Sequence, residues 1–295
     1  MSEIRRGPGV LTSLSEGWGR RPSPARVYNV LTHRPDSYRV DRLLAQKLFD
    51  ANKLVITAGL INHQHTPLVV RSLAERGITQ VIDLGCGDPP LLAQDRIRHE
   101  PLLITEVLAP FAADSAVLYV DSDPSVIGHA HSCMTGPHGT DALNADLLYM
   151  AEILAGPEVT ELFDLGRPIA VLLHDVLPWV GDDEALASAL ALLRAWLPPG
   201  SALSVTHAAT DLVPVVMAKL TALWAEEAAT VFRPRTREEI EALFGDWPLL
   251  APGLTTTAQW HPEHPAARQP PLASQAYAAV AIKPSPPSPE VPACS

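Results

Sequence analysis

The chain has 295 residues, a formal net charge of −11 and a hydrophobic content of 47%. The negative charge argues against a nucleic-acid partner, because phosphate recognition needs a basic surface. No apolar run reaches the ~18 residues of a membrane span, and the start lacks the apolar core of a signal peptide, so we expect a cytoplasmic protein. The three cysteines are widely spaced and predict neither disulfide bonds nor zinc.

The N-terminal part of the chain is predicted to be helical. Residues 1–22 are rich in glycine, serine and arginine and are expected to be flexible. A helical pattern begins at Pro24, and further helices are predicted over residues 38–51 and 67–76. The inward face of the second helix is expected to carry Leu43, Leu44, Leu48 and Phe49.

The first strand is predicted over Val81 to Leu84, a short β-branched run that is typical of a buried parallel sheet. It runs into Gly85 and Gly87, and glycine permits both a sharp turn and close approach of a ligand to the backbone. Nucleotide-like ligands bind at this edge of doubly wound sheets. Pro90 stands where the dinucleotide fingerprint needs its third glycine, which indicates an adenosine ligand rather than a dinucleotide.

Acidic residues follow the next two predicted strands. The strand over residues 116–120 stops at Asp121 and Ser122, where a carboxylate accepts hydrogen bonds from ribose hydroxyls. Asp146 follows the third strand and is placed to meet an adenine amino group. This order of features is the pattern of a class I S-adenosylmethionine methyltransferase. Asp83 is expected either to hold the glycine loop or to attract the methionine ammonium.

The second half of the chain alternates apolar strands with amphipathic helices. Strands are predicted over residues 168–173 and 202–206, on either side of a helix capped by Asp182. After further helices over residues 212–229 and from Thr236, two closing strands are expected to form an antiparallel hairpin. These closing strands are residues 254–260 and 275–282, and a proline-rich tail follows from residue 284.

Several stretches share a likeness with one family: Ala25–Asn29, Asn62–Asp83, Leu118–Pro124, Pro199–His207 and Pro252–Glu263. Over about residues 22–283 the sequence resembles the actinobacterial S-adenosylmethionine methyltransferase family formerly known as DUF574. The resemblance implies a Rossmann-like α/β fold with a seven-stranded, mostly parallel sheet, an antiparallel C-terminal hairpin and an N-terminal helical cap. We therefore expect a flexible start over 1–22, a cap over 23–76, a cofactor-binding domain over 77–283 and a disordered tail over 284–295.

The resemblance also bears on the catalytic residues. His207 matches a family histidine at the end of the fifth strand and is the preferred general base if the acceptor carries a proton. His174 and Asp175 end the fourth strand and depart from the family, which is apolar there; they are the further candidates. A purely structural role remains the alternative for each histidine.

The predicted cap carries the candidate substrate residues. Arg26, Tyr28 and Asp36 follow the family pattern, and Tyr28 and Tyr38 are expected to line the pocket unless they only pack the cap onto the sheet. Asn62 matches a family asparagine that would reach the amino-acid end of the cofactor, with a helix cap as the alternative.

The leading hypothesis is a methyltransferase that uses S-adenosylmethionine and acts on a small molecule, such as a specialised metabolite. A protein that binds the cofactor without methyl transfer is the alternative. A nicotinamide-dependent oxidoreductase is disfavoured by Pro90 and by the 38 positions between Asp83 and Asp121. The histidine pairs lack accompanying cysteines or clustered acids, so no metal is predicted. The oligomeric state and the acceptor are left open.

Overall fold

The computed structural model describes residues 19–34, 36–88, 103–135 and 139–285. The predictions for residues 1–18, for Pro90 and for the tail from residue 286 lie outside these ranges. The strands are β1 Gln80–Leu84, β2 Ala116–Asp121, β3 Thr140–Asn144, β4 Ile169–His174, β5 Ala202–Ala208, β6 Thr255–Thr256 and β7 Ala276–Ile282.

The strands form one seven-stranded sheet in the order β3-β2-β1-β4-β5-β7-β6. Strands β1 to β5 pair in parallel, whereas β7 pairs antiparallel with both β5 and β6. The predicted class is therefore confirmed: an α/β sheet that is mostly parallel and ends in antiparallel strands. Because the first five strands are parallel, their carboxyl ends meet at one edge of the sheet.

Eleven helices lie within the described ranges. They are α1 Pro24–Leu31, α2 Arg39–Ala51, α3 Val55–Ala74, α4 Ile104–Leu108, α5 Pro124–Cys133, α6 Met150–Ala155, α7 Pro157–Thr160, α8 Asp183–Trp196, α9 Pro214–Ala228, α10 Arg237–Ala242 and α11 Thr257–Trp260. None of the described helices is both long and apolar enough to cross a membrane.

Helices cover both faces of the sheet, which is why its central strands are apolar throughout. Ile82 and Val171 pack on one face with α6 and α8, whereas Val81 and Leu172 pack on the other face with α3 and α4. Successive strand residues point to opposite faces of the sheet, so the residues on both faces are buried.

Three of the predicted elements differ from the structure. Helix α3 begins at Val55 instead of Pro67, because the apolar helical pattern continues upstream and Pro67 is accommodated inside the helix. Leu43 is 52% exposed, and the inward face of α2 consists of Leu44, Ala45 and Leu48 with Asp41. The predicted strand over residues 254–260 is reduced to Thr255–Thr256, after which the chain enters α11.

Helices α1 and α2 are joined to the rest of the molecule by an apolar cluster near the carboxyl edge of the sheet. Val27 and Leu31 of α1 and Leu48 of α2 pack with Met217 and Trp224 of α9. This packing fixes α1 above the ends of the strands, and it therefore forms one wall of the space where a ligand is expected.

Candidate functional site

A cavity of about 300 Å³ lies at the carboxyl edge of the sheet, bordered by residues of α1, α3 and α9. One part of its wall is polar and includes Asp83, Gly85, Gly87 and Asp121. Another part is aromatic and consists of Trp179, Trp224 and Phe232, and the wall also includes Tyr28, His174 and Asp175. The structure thus gathers at one cavity several residues that the sequence places far apart.

The two loop glycines differ in what surrounds them. Gly85 has a φ of +76°, and a Cβ there would lie 2.2 Å from Cγ2 of Val176. Gly87 has a φ of +62°, and a Cβ there would meet no protein atom within 4 Å. Gly85 is therefore required by packing as well as by backbone conformation. Gly87 borders open space, as expected of a loop that a cofactor approaches closely.

Asp121 is bonded to the same loop. Its Oδ2 accepts a hydrogen bond from the Gly87 amide at 3.1 Å, and its Oδ1 accepts one from the Asp123 amide at 2.9 Å. Each carboxylate oxygen has a second acceptor position, so two ribose hydroxyls still have a place to bond. Burial raises the pKa of Asp121 to about 6, despite the two amide hydrogen bonds that oppose this shift.

Asp83 is buried beneath the glycine loop and also lines the cavity. Burial, followed by the charge of Asp121, raises the pKa of its carboxyl to about 7. A ligand ammonium at this position would favour the ionised form. This fits the second of the two roles expected from the sequence, which is attraction of the methionine ammonium.

Asn62 lies in the wall with half of its amide unsatisfied. Its Nδ2 donates to the Ser274 carbonyl at 3.4 Å, whereas its Oδ1 is buried without a hydrogen-bond partner among the described residues. Because buried acceptors are normally bonded, this oxygen is suited to receive a donor from a bound ligand. The glycine loop, the two acids and Asn62 therefore fit an S-adenosylmethionine molecule.

Ser122 and Asp146 do not border the cavity. Both are exposed, and the Asp146 carboxylate accepts a hydrogen bond from the Leu148 amide at 2.9 Å, which caps a short 3-10 helix. The predicted adenine contact of Asp146 would have to form outside the cavity wall, and it stays a prediction.

His207 lies away from the cavity with both ring nitrogens occupied. Its Nε2 accepts a hydrogen bond from Nη1 of Arg235 at 2.8 Å, and its Nδ1 donates to the Ala208 carbonyl at 2.8 Å. Burial lowers its pKa to about 3. Strand β5 continues two residues beyond the predicted end at Thr206, so His207 pairs with β7 inside the sheet. The geometry thus contradicts the preference for His207 as the base.

His174 does border the cavity, but its hydrogen bonds are also filled. Nδ1 lies 2.8 Å from the Thr66 hydroxyl and Nε2 lies 2.8 Å from the Ser204 hydroxyl. Burial lowers its pKa to about 3, so the imidazole is neutral at pH 7. These contacts suit a residue that connects β4, β5 and α3 better than one that accepts a substrate proton.

Asp175 is less fully hydrogen-bonded than His174. Its backbone has a φ of +55°, and its amide donates to both the carbonyl and the hydroxyl of Thr206, at 3.1 and 2.9 Å. Its Oδ1 accepts from the Thr206 hydroxyl at 3.1 Å. Burial raises its pKa to about 6, so the carboxylate is mostly ionised at pH 7. Asp175 therefore has the charge and position of a proton acceptor.

Of the four candidate substrate residues in the cap, Tyr28 borders the cavity, whereas Arg26, Asp36 and Tyr38 do not. Arg26 is buried in an ion pair, with Nε 2.9 Å from Oδ2 of Asp41, and its guanidinium lies over the ring of Tyr38. Tyr38 is 47% exposed, and the Asp36 carbonyl accepts a hydrogen bond from Asn29. Arg26 and Tyr38 thus maintain the cap, and the structure does not bring Arg26, Asp36 or Tyr38 to the cavity.

Sequence reasoning missed Asp88, which directly follows Gly87. Its Oδ2 accepts from Nδ2 of Asn29 at 2.7 Å, its Oδ1 lies 2.9 Å from Nδ1 of His129, and its carbonyl accepts from Nη1 of Arg34 at 2.8 Å. This buried acid ties the glycine loop to α1 and α5. Its place next to the loop was the only local signal of this role.

A parallel sheet in this order, with a glycine turn after β1 and a carboxylate at the end of β2, defines a class I S-adenosylmethionine methyltransferase. The chain belongs to the S-adenosyl methyltransferase family, whose sequence profile matches residues 18–284. The recognised family, the enzyme class and the cofactor are thereby confirmed. No curated protein matches the chain.

Two solved structures are similar over most of the chain. A Thermobifida fusca protein, provisionally described as a methyltransferase, is 29% identical over 94% of this chain and 100% of its own, with a TM-score of 0.80. A Streptomyces avermitilis protein of the DUF574 family is 26% identical over 90% of this chain and 99% of its own, with a TM-score of 0.82.

Proposed function

We propose that the protein transfers a methyl group from S-adenosylmethionine to a small molecule bound in the cavity. The observation that carries this proposal is that one cavity joins the glycine loop to an aromatic wall beneath α1. Donor and acceptor would thus share a space enclosed by α1, α3 and α9, which favours a small acceptor over a polymer. The net charge of −11 also disfavours nucleic acid.

The protein residues bind and align the donor. Asp121 holds the ribose, Gly87 allows the backbone to approach, and Asp83 with Asn62 receives the amino-acid end. The bound cofactor supplies an activated methyl group on a sulfonium. The protein then has to orient the donor and the acceptor, and such orientation can lower the barrier to methyl transfer by about 7–11 kcal/mol.

Asp175 is the proposed base for an acceptor that carries a proton. It borders the cavity, is mostly ionised at pH 7 and has an oxygen with only one long contact, whereas His207 and His174 have both ring nitrogens bonded. Positioned proton transfer of this kind contributes roughly 10²–10⁴ to the rate.

The cofactor assignment is tested by measuring the affinity for S-adenosylhomocysteine by calorimetry. Asp121→Ala should weaken binding by about 2–4 kcal/mol, because two charge-assisted hydrogen bonds are lost. Asp114→Ala is the matched control, since Asp114 precedes the opposite end of β2 and its side chain is 73% exposed. Equal affinity of a folded Asp121→Ala variant and the control would remove the basis for the assignment.

A further inference from the structure

We infer that the methyl acceptor is a small amine carried on an aromatic or apolar ring, with its ammonium group bound by Asp175. This inference rests on the proposed function and names the substrate class of the same cavity. Two independent features support it: a partly buried carboxylate that lacks a cationic partner among the described residues, and an aromatic wall close to it in the chain.

The Asp175 carboxylate has only neutral partners in the described part of the chain. Thr206 donates to Oδ1 at 3.1 Å, while Oδ2 lies 3.5 Å from the hydroxyl oxygen of Tyr28. That hydroxyl has a better acceptor in the Gly59 carbonyl at 2.9 Å, and a tyrosine has one hydrogen to donate. Oδ2 is therefore left without a strong donor among the described residues.

A buried carboxylate is costly unless it is paired with a cation or fully hydrogen-bonded. Burial raises the pKa of Asp175, and the hydroxyls of Thr206 and Tyr28 lower it. No cationic side chain of the described residues contributes to this shift. A ligand that brings its own positive charge and N–H donors would satisfy Oδ2. A hydroxyl ligand would supply a donor but would leave the charge uncompensated.

The position of the Asp175 carboxylate depends on an unusual backbone conformation. A φ of +55° is unusual for a residue other than glycine, although aspartate tolerates it better than most. The conformation is held by the hydrogen bonds from the Asp175 amide to Thr206. Strained conformations of this kind persist where the surroundings enforce them, and they concentrate at functional sites.

The aromatic wall begins four residues further along the chain. Trp179 and Trp224 meet edge to face with their ring centroids 4.7 Å apart, and Phe232 lies 5.0 Å from Trp179. All three border the cavity, together with the apolar side chains of Leu31, Leu48 and Met217. Such a wall binds a ring by packing, and the aromatic faces also attract an ammonium group.

The other charges of the cavity disfavour an anionic acceptor. Among the described residues, four acids border it, Asp83, Asp88, Asp121 and Asp175, against one cation, Arg34. The imidazoles of His63 and His174 also border it, but burial lowers the pKa of each to about 3, so both are neutral. Arg34 donates to the Asp88 carbonyl and to His63. The cavity is therefore negative overall and suits a cation.

The chemical step balances with these groups alone. Asp175 takes one proton from the ammonium, which leaves a lone pair on the acceptor nitrogen. A nitrogen–carbon bond then forms to the methyl group as the sulfur–carbon bond breaks, and that electron pair stays on sulfur. The methylated amine keeps one positive charge, and Asp175 returns its proton to solvent after the product leaves.

The test compares phenethylamine with phenethyl alcohol, which share a ring and a chain but differ in charge. Calorimetry is performed on the full-length protein saturated with S-adenosylhomocysteine, whose binding is measured first. We expect the amine to bind about tenfold or more tightly than the alcohol, since an ammonium–carboxylate contact is charge-assisted. Asp175→Asn should remove this preference, and Trp179→Ala should weaken both ligands alike.

Several outcomes would overturn the inference. They are equal binding of the two probes, no binding of the amine, or a preference that survives Asp175→Asn. Weaker S-adenosylmethionine binding by Asp175→Asn with unchanged S-adenosylhomocysteine binding would show that the carboxylate faces the sulfonium instead. The comparison of the two probes on the wild-type protein tests the inference even if the Asp175→Asn variant does not fold. Failure of the proposed function would appear separately, as absence of S-adenosylhomocysteine binding.

Discussion

Burial sets the protonation states of single residues around the cavity. It raises the pKa of Asp83 to about 7 and that of Asp175 to about 6, and it lowers the pKa of His174 to about 3. The usual order is thereby reversed at this edge of the sheet: the carboxyls titrate close to neutrality and the imidazoles stay neutral. This reversal is why an aspartate, rather than a histidine, is the proposed proton acceptor.

Asp83 provides a direct test of cofactor orientation. With a pKa of about 7, its carboxyl is about half protonated near neutral pH. A ligand ammonium beside it would lower this pKa, so S-adenosylhomocysteine binding should release up to about one proton. The measurement is calorimetry at a pH just below 7 in two buffers of different ionisation enthalpy. Asp83→Asn should abolish the buffer dependence, and its persistence in that variant would exclude Asp83 as the source.

A pH profile separates Asp175 from the histidines once turnover is measured. A base with a pKa of about 6 is inactive when protonated, so the rate should fall below pH about 6 and level off above it. A histidine with a pKa of about 3 would leave the rate flat across this range. Asp175→Asn should lower the rate by roughly 10²–10⁴ and remove the inflection. A wild-type rate that is flat between pH 5 and 7 would contradict the assignment.

The two loop glycines should fail in different ways when replaced. Gly85→Ala is expected to cost about 1–3 kcal/mol of stability, because its Cβ would collide with Val176. Gly87→Ala meets open space and should mainly weaken S-adenosylhomocysteine binding. Urea unfolding and calorimetry of the variants check both effects, and equal losses of stability in the two variants would contradict the distinction.

At the scale of elements, the helical cap depends on a buried ion pair between α1 and α2. Asp41 is fully buried, accepts from Nε of Arg26 at 2.9 Å and also accepts from the amides of Ser23 and Tyr38. One acid thus holds the entry to α1, the start of α2 and the arginine between them. Arg26, which follows the family pattern, therefore has a structural role in the cap.

Removing Arg26 should therefore destabilise the protein strongly. Arg26→Met leaves the Asp41 charge buried and uncompensated, with an expected cost of about 3–5 kcal/mol. Lys53→Met is the matched control, because Lys53 and Asp50 form an exposed pair and such pairs contribute little to stability. Urea unfolding gives both differences. Similar losses in the two variants would show that the pair contributes little to the cap.

At the scale of the whole molecule, Asp88 couples the cap to the cofactor loop. It bonds Asn29 of α1 and His129 of α5 while following Gly87 directly. A ligand that orders the loop should thus also order α1, which borders the cavity from the other side. Closing of the donor site and shaping of the acceptor site would then occur together.

Hydrogen exchange tests this coupling. S-adenosylhomocysteine binding should slow amide exchange in α1 as well as in residues 83–88, because the two segments share the Asp88 contacts. Asn29→Ala should reduce the protection of α1 while that of residues 83–88 remains. Gln46→Ala, on the exposed face of α2, is the control. Protection of α1 that is unchanged in Asn29→Ala would rule out this route of coupling.

The sequence alone was sufficient for features that neighbouring residues encode. The strand before Gly85, the acid at Asp121 and the alternation of strands and helices follow from local periodicity and turn chemistry. They predicted the sheet and the cofactor correctly, whereas the family was identified from the resemblance of several sequence stretches. Element ends were less well predicted, since the length of β5 depends on its pairing with β7 and not on its own residues.

The tertiary structure decided which side chains reach the cavity. Tyr28 and Asp175 are 147 positions apart, and Asn29 and Asp88 are 59 apart, so no local pattern reports their contacts. His207 appeared catalytic because a predicted strand ended before it, and its partner Arg235 was visible only in the folded chain. Long-range packing assigns these roles because burial and hydrogen-bond partners, rather than residue type, determine whether a titratable group can act.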